Sequence, residues 1–136
     1  MKKLFISCPM KGRTEENIKK SVERMHKLAE IIFDEELEVI PSYIEDNPPE
    51  DSKQVIWYLD KSIQLLAEAD YVIGIDYSEF YRDCNVERDI AYMYGIPFYG
   101  VNARQMFTDI EEIERKMWAD AEKSCSPMPL EGSEDE

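Results

Sequence analysis

The sequence predicts an α/β protein, a three-layer sandwich in which helices cover both faces of a parallel sheet of four to five strands. Three observations carry that prediction. Short apolar runs alternate with longer segments whose apolar residues recur at helical spacing, the pattern of strand–helix–strand units joined by right-handed crossovers. The connections carry Pro, Gly and capping residues where one element must end and the next begin. Finally, 136 residues suffice for one domain with a real core but not for two.

The elements follow in order. Residues 3–7, Lys-Leu-Phe-Ile-Ser, form a first strand that ends in Cys8-Pro9-Met10-Lys11-Gly12-Arg13. Thr14 is an N-cap with Glu15 and Glu16 favourable in the first turn, and Ile18, Val22, Met25, Leu28 and Ile32 make an amphipathic helix to about residue 34. Residues 37–40 are a second strand closed by Pro41, and residues 42–51, with Asn47-Pro48-Pro49, a loop. A second helix opens at Ser52 with Val55, Leu59, Ile63 and Leu66 on its buried face. Tyr71-Val72-Ile73-Gly74-Ile75 is the third strand, and the helix behind it holds Glu87 in its first turn and ends at Gly95, a natural C′ residue. Residues 97–101 form a fourth strand. Thr108-Asp109-Ile110-Glu111 is a capping-box signature for a last helix through Ile113 and Met117. The domain is thus residues 1–123, and residues 124–136 compose a disordered acidic tail.

A net charge of −14 argues against a nucleic-acid polymer and against an anionic membrane surface as partner, though not against a small anion held by local donors. The apolar stretch after Lys2-Lys3 is too short for a signal peptide or a membrane span. Cys8, Cys84 and Cys125 lack metal spacing and are odd in number, which fits reduced thiols in a cytoplasm. With a lone histidine, His26, there is no metal site to build, and no cofactor is expected. His26 is expected to be structural, and Cys84 has no base partner for a thiol mechanism.

In a parallel sheet, residues 8–13, 42–51 and 76–83 all lie beyond the carboxyl ends of their strands and rim one crevice, where open α/β sheets bind ligands. The first loop offers Ser7, Pro9, Met10 and the cations Lys11 and Arg13 beside a helix amino terminus, a combination that can cradle a phosphate or be simply a basic surface loop. The third loop brings Asp76, Tyr77, Phe80, Tyr81, Arg82 and Asp83 near Glu87; aromatic rings beside carboxylates suit a nucleobase with its sugar, or cover the core edge. Glu87 can serve as nucleophile or acid/base, with Asp76 as a second catalytic candidate, or it complements the helix dipole. Arg88 binds a phosphate or pairs with acidic neighbours. Trp57 and Tyr58 are expected to be core contacts.

Several of these segments carry a resemblance. Leu4-Phe5-Ile6-Ser7-Cys8-Pro9-Met10-Lys11-Gly12 is similar to the "IYISGPMxG" opening of the nucleoside 2-deoxyribosyltransferase-like superfamily. Ala69-Asp70-Tyr71-Val72-Ile73 resembles its "aDxvi" strand, and Asp83 to Ala91 resembles the "GCRIEHEIA" stretch of its small phage and bacterial branch. The similarity runs over residues 3–101. It implies a flavodoxin-like or Rossmann-like fold and cleavage of the N-glycosidic bond of nucleosides, deoxynucleosides or their 5′-monophosphates, with hydrolysis or deoxyribosyl transfer as outcome. On that pattern Glu87 attacks C1′ and forms a glycosyl ester, chemistry that splits one hard displacement into two easier steps. It also implies a small-molecule nucleoside or nucleotide as ligand and a homodimer or higher homo-oligomer.

The chain departs from the pattern at the residues that assist the glutamate. Phe5 stands where many members have an orienting Tyr, Ser62 where characterised enzymes have a substrate-contacting Asp, and Asp83 and Asn85 where glycines are usual. Ser62, Asp83, Asn85, Tyr77 and Arg88 join the first-loop residues as substrate-binding candidates. The alternative to an enzyme is a nucleotide-binding protein that uses the same pocket without turnover, and Lys11 and Arg13 tilt either toward a phosphorylated ligand.

Overall fold

The structure, a computed structural model, describes residues 1–41 and 47–123. In chain order the elements are β1 (Lys2–Ile6), α1 (Glu15–Phe33), β2 (Leu37–Val39), α2 (Gln54–Leu66), β3 (Tyr71–Ile75), α3 (Arg82–Met93), β4 (Phe98–Val101), α4 (Ala103–Met106) and α5 (Ile110–Lys123). The strands form one all-parallel, four-stranded sheet in the order β2-β1-β3-β4. Part of the expected 42–51 loop, and the expected acidic tail with Cys125, lie outside the described residues.

Period-two alternation sends successive strand residues to opposite faces, and two cores result. Leu4, Ile6, Ile73, Ile75 and Val101 pack with Met25 and Ala29 of α1 and with Phe107 and Ile110 at the start of α5. On the other face, Phe5 and Val72 pack with Leu66 of α2 and Ala91 of α3. The result is the three-layer flavodoxin-like or Rossmann-like sandwich. β1 lies between β2 and β3, so the chain leaves β1 toward one side of the sheet and returns on the other, making the β1/β3 boundary the topological switch point.

Local chemistry sets the ends. Thr14 caps α1 through its hydroxyl, which accepts from Asn17 N–H at 3.1 Å, and the helix stops at Asp34 in the left-handed region at φ 56°. Gly95 takes φ 75° just past α3, the backbone its side-chain-free Cα permits. Four expectations need correction. On α1, Ser21, Met25 and Ala29 are buried and Ile18, Val22 and Leu28 pack against the same core as expected, but Ile32 is 42 % exposed. Helix α2 starts at Gln54 rather than Ser52, and Val55 at its outer end is 76 % exposed, since only the carboxyl half reaches the sheet. A further short helix, α4, follows β4. Lastly, α3 begins at Arg82, which puts Glu87 in its second turn and leaves Asp83 as the acidic residue of the first turn. Glu87 therefore does not complement the helix dipole, an effect confined to the terminal turn.

Candidate functional site

At the carboxyl end of β1, beside the switch point, lies a cavity of about 580 Å³. Its floor comes from β1 and the residues that follow it, one wall from the first turns of α3, another from the amino half of α2, and its rim from the start of α1. The volume is in the range of small-molecule sites. Phe5, Ile6, Ile18, Val55 and Leu59 supply apolar surface, and Ser7, Ser62, Glu15, Asp83 and Glu87 supply polar groups.

Glu87 is the centre of this arrangement. It is 5 % exposed, and its Oε1 accepts a hydrogen bond of 2.6 Å from the Ser7 hydroxyl, which is itself 2 % exposed. Ser7 is held by the sheet, because its N–H donates to the Ile73 carbonyl at 2.8 Å. Burial pushes the Glu87 carboxyl from an ordinary 4.5 up to about 7; the Asp83 charge adds to the rise, while hydrogen bonds from Ser7 and Ser62 oppose it. A buried carboxyl that titrates near neutrality, at the wall of a cavity, is the arrangement expected of a catalytic acid, base or nucleophile. Asp83 precedes it by one helical turn, on the same face of α3, and lines the same cavity.

The resemblance assigned the orienting hydroxyl to the Phe5 position. Phe5 is 2 % exposed and presents only an apolar ring to the cavity, whereas Ser7 makes the bond to the carboxylate. The strand alternation explains the exchange, since residues 5 and 7 face the same side of the sheet. Ser62 also reaches Glu87, and with a hydroxyl in place of a second carboxylate it favours ionisation instead of opposing it.

Other expected residues are placed elsewhere. Asp76 and Tyr77 do not line this cavity; they line a second hollow of about 230 Å³ with Glu79, Arg104 and Glu114 beyond β3 and β4. Asp76 leaves the last residue of β3 on the β4 side, so it is not a partner of Glu87. Arg13 is not a phosphate ligand in this arrangement. Its side chain is 1 % exposed and forks onto Asp109, with Nε–Oδ2 at 2.8 Å and Nη2–Oδ1 at 2.9 Å, while also donating to Ser21 Oγ and the Pro9 carbonyl. Burial pushes Asp109 up, but the hydrogen bonds and charge of Arg13 outweigh it and hold the carboxyl below its ordinary value. The guanidinium thus ties the first loop to the start of α5.

Pro9 is fully buried, and Met10 lines the cavity at 45 % exposure. Lys11 is exposed and is not among the lining residues; its carbonyl accepts from the Tyr81 hydroxyl at 2.8 Å, joining the first and third loops. Asn85 braces the third loop, accepting from Ser78 N–H at 2.9 Å and donating to the Ser78 carbonyl at 2.6 Å. Arg88 pairs with its neighbour Asp89 at 3.1 Å. Both residues are occupied locally rather than in the cavity. Cys8 lines the cavity, but burial raises its thiol to about 11 despite Arg13, and burial also raises Cys84 well above the ordinary thiol value, so neither is a thiolate near neutral pH. His26 is structural, with Nε2 2.9 Å from the Leu37 carbonyl.

Glu15, Ile18, Val55, Tyr58 and Leu59 are lining residues that sequence reasoning assigned to helix starts, packing faces or contacts. A signal existed for two of them: Glu15 and Ile18 lie one turn apart at the helix end that adjoins the first loop. Among the described residues no cluster of His, Cys, Asp and Glu could hold a metal, and no helix is long and apolar enough to cross a membrane. No family model, curated protein or solved structure matches the chain.

Proposed function

We propose that the chain cleaves the N-glycosidic bond of a nucleoside, deoxynucleoside or nucleotide, or transfers the deoxyribosyl group, with Glu87 as the nucleophile. The observation that carries this reading is the Glu87 carboxylate, buried at a cavity of nucleoside size and oriented by the fixed hydroxyl of Ser7. In the first step a Glu87 oxygen bonds to C1′ and the C1′–N bond breaks. The bonding pair goes to the departing nitrogen, which takes a proton from water. In the second, a water oxygen bonds to C1′, the ester bond returns its pair to Glu87, and the water releases a proton; a second base in place of water makes the reaction a transfer.

A second reading is a nucleotide-binding protein without turnover. It is favoured by the pKa of about 7, which leaves Glu87 substantially protonated at neutral pH, where it donates a hydrogen bond rather than attacks carbon. Incubation with the deoxynucleosides and their 5′-monophosphates, with and without an acceptor base, separates the two. Free base on chromatography that disappears in Glu87→Ala supports the enzyme. A raised melting temperature without base release supports the binding protein.

Two further features belong to this proposal. Val55 and Ile56, 76 % and 60 % exposed, put apolar surface beside the cavity mouth, which suits burial against a second copy in a homodimer or higher homo-oligomer. Free Cys8 and Cys84 suit a reducing cytoplasm.

A further inference from the structure

We infer that the cavity selects uncharged nucleosides over their 5′-monophosphates. The inference rests on the reading of the cavity proposed above and reverses the expectation that Lys11 and Arg13 would favour a phosphate. Besides the partly protonated Glu87, the lining holds two carboxylates, Glu15 and Asp83, and neither Lys nor Arg. Residues 42–46 and 124–136, which lie outside the described set, contain no Lys or Arg in sequence.

Several groups nearby that could hold a phosphate are already engaged, and Lys11 does not line the cavity. The Arg13 guanidinium is bonded to Asp109, Ser21 and the Pro9 carbonyl, and the Arg13 backbone N–H donates to the Met10 carbonyl at 3.1 Å. At the start of α1, Thr14 takes the Asn17 N–H, and Glu15 and Glu16 set negative charge over the first turn. At the start of α3, the N–H groups of Cys84 and Asn85 donate to the Tyr81 carbonyl, and Asp83 carries the first-turn charge. Arg88 is paired with Asp89.

A 5′-phosphate carries about −1.5 to −2 charges at pH 7. Placed among carboxylates in a partly enclosed cavity, it meets like-charge repulsion that salt screens poorly. A nucleoside meets none, and its base and sugar match the apolar walls of Phe5, Ile6, Ile18 and Leu59 and the hydroxyls of Ser7 and Ser62.

The test compares each of the four 2′-deoxynucleosides with its own 5′-monophosphate. Base release gives kcat/KM for both, and thermal shift on Glu87→Gln gives binding without turnover. We expect a preference for the nucleoside of about tenfold or more. Glu15→Lys, at an exposed rim position, is expected to shrink that preference by roughly tenfold through the reversed charge. Equal or better use of the monophosphate overturns the inference and leaves N-glycosidic cleavage standing. If neither ligand is cleaved and neither shifts the melting temperature, the function proposed for the cavity fails and the inference fails with it.

Discussion

Replacing Glu87 with glutamine is expected to stabilise the protein, and to do so only as pH rises out of the acid range. The carboxyl group is 5 % exposed, and burial is the main reason its pKa rises from 4.5 to about 7. A folded-state pKa above the unfolded value means that the folded protein holds the proton more tightly. The resulting stability is fully present below about pH 4.5, declines as pH rises toward 7, and is gone beyond it. Each pKa unit corresponds to about 1.4 kcal/mol, so the wild type loses about 3 kcal/mol across that interval through this one group. Glutamine has the same shape, can still accept from Ser7, and does not ionise. Urea denaturation of both proteins from about pH 4 to about pH 9 isolates the effect, because other titrating groups cancel in the difference. The stability gap is expected to widen by about 3 kcal/mol in favour of glutamine and then level off. Parallel stability profiles would instead mean that Glu87 ionises as easily folded as unfolded.

Further outcomes follow from the same contacts. Ser7→Ala removes a hydrogen bond that favours the ionised carboxyl, so the pH–rate profile for base release is expected to move to higher pH and kcat to fall by about tenfold or more. Ser62→Asp places a like charge beside Glu87 and is expected to move the same profile upward while Ser62→Ala moves it less, read from kcat/KM against pH. Arg13→Lys cannot fork onto Asp109 and bond Ser21 and Pro9 at once, and is expected to cost about 2–3 kcal/mol in denaturation. Because the Asp109 carboxyl is held below its ordinary value, that contribution is present above the unfolded carboxylate range and is lost as pH falls through the folded value, so the Arg13→Lys deficit should shrink in acid.

The fold was legible because local signals and global topology agree. The apolar run Tyr71–Ile75 is β3 as read, Thr14 caps α1, and the alternation of strands and helices leads directly to the parallel sheet. The meeting of Glu87 with the first loop was legible for the same reason, since topology alone sets both at the carboxyl ends of β1 and β3. What stayed hidden was decided by partners distant in sequence. The cation at Arg13 looks like an anion ligand until Asp109, 96 residues away, is found bonded to it. Asp76 looks like a companion of Glu87 until the strand order turns it toward β4. The apolar outer half of α2 carries the same helical spacing as a buried face, and only its reach beyond the sheet distinguishes it. Spacing could not show that Glu87 lies one turn deeper than a dipole-complementing residue, because α3 starts at Arg82, after the buried Tyr81.

Attack of Glu87 on the sugar carbon is tested by acid-quenched reactions followed by peptide mass analysis. With a deoxynucleoside that releases base, a deoxyribosyl ester is expected on the peptide at Glu87 that appears early, decays as product forms, and is absent in Glu87→Gln. Base release at undiminished rate in Glu87→Gln, or a sugar adduct on Asp83 instead, would contradict it.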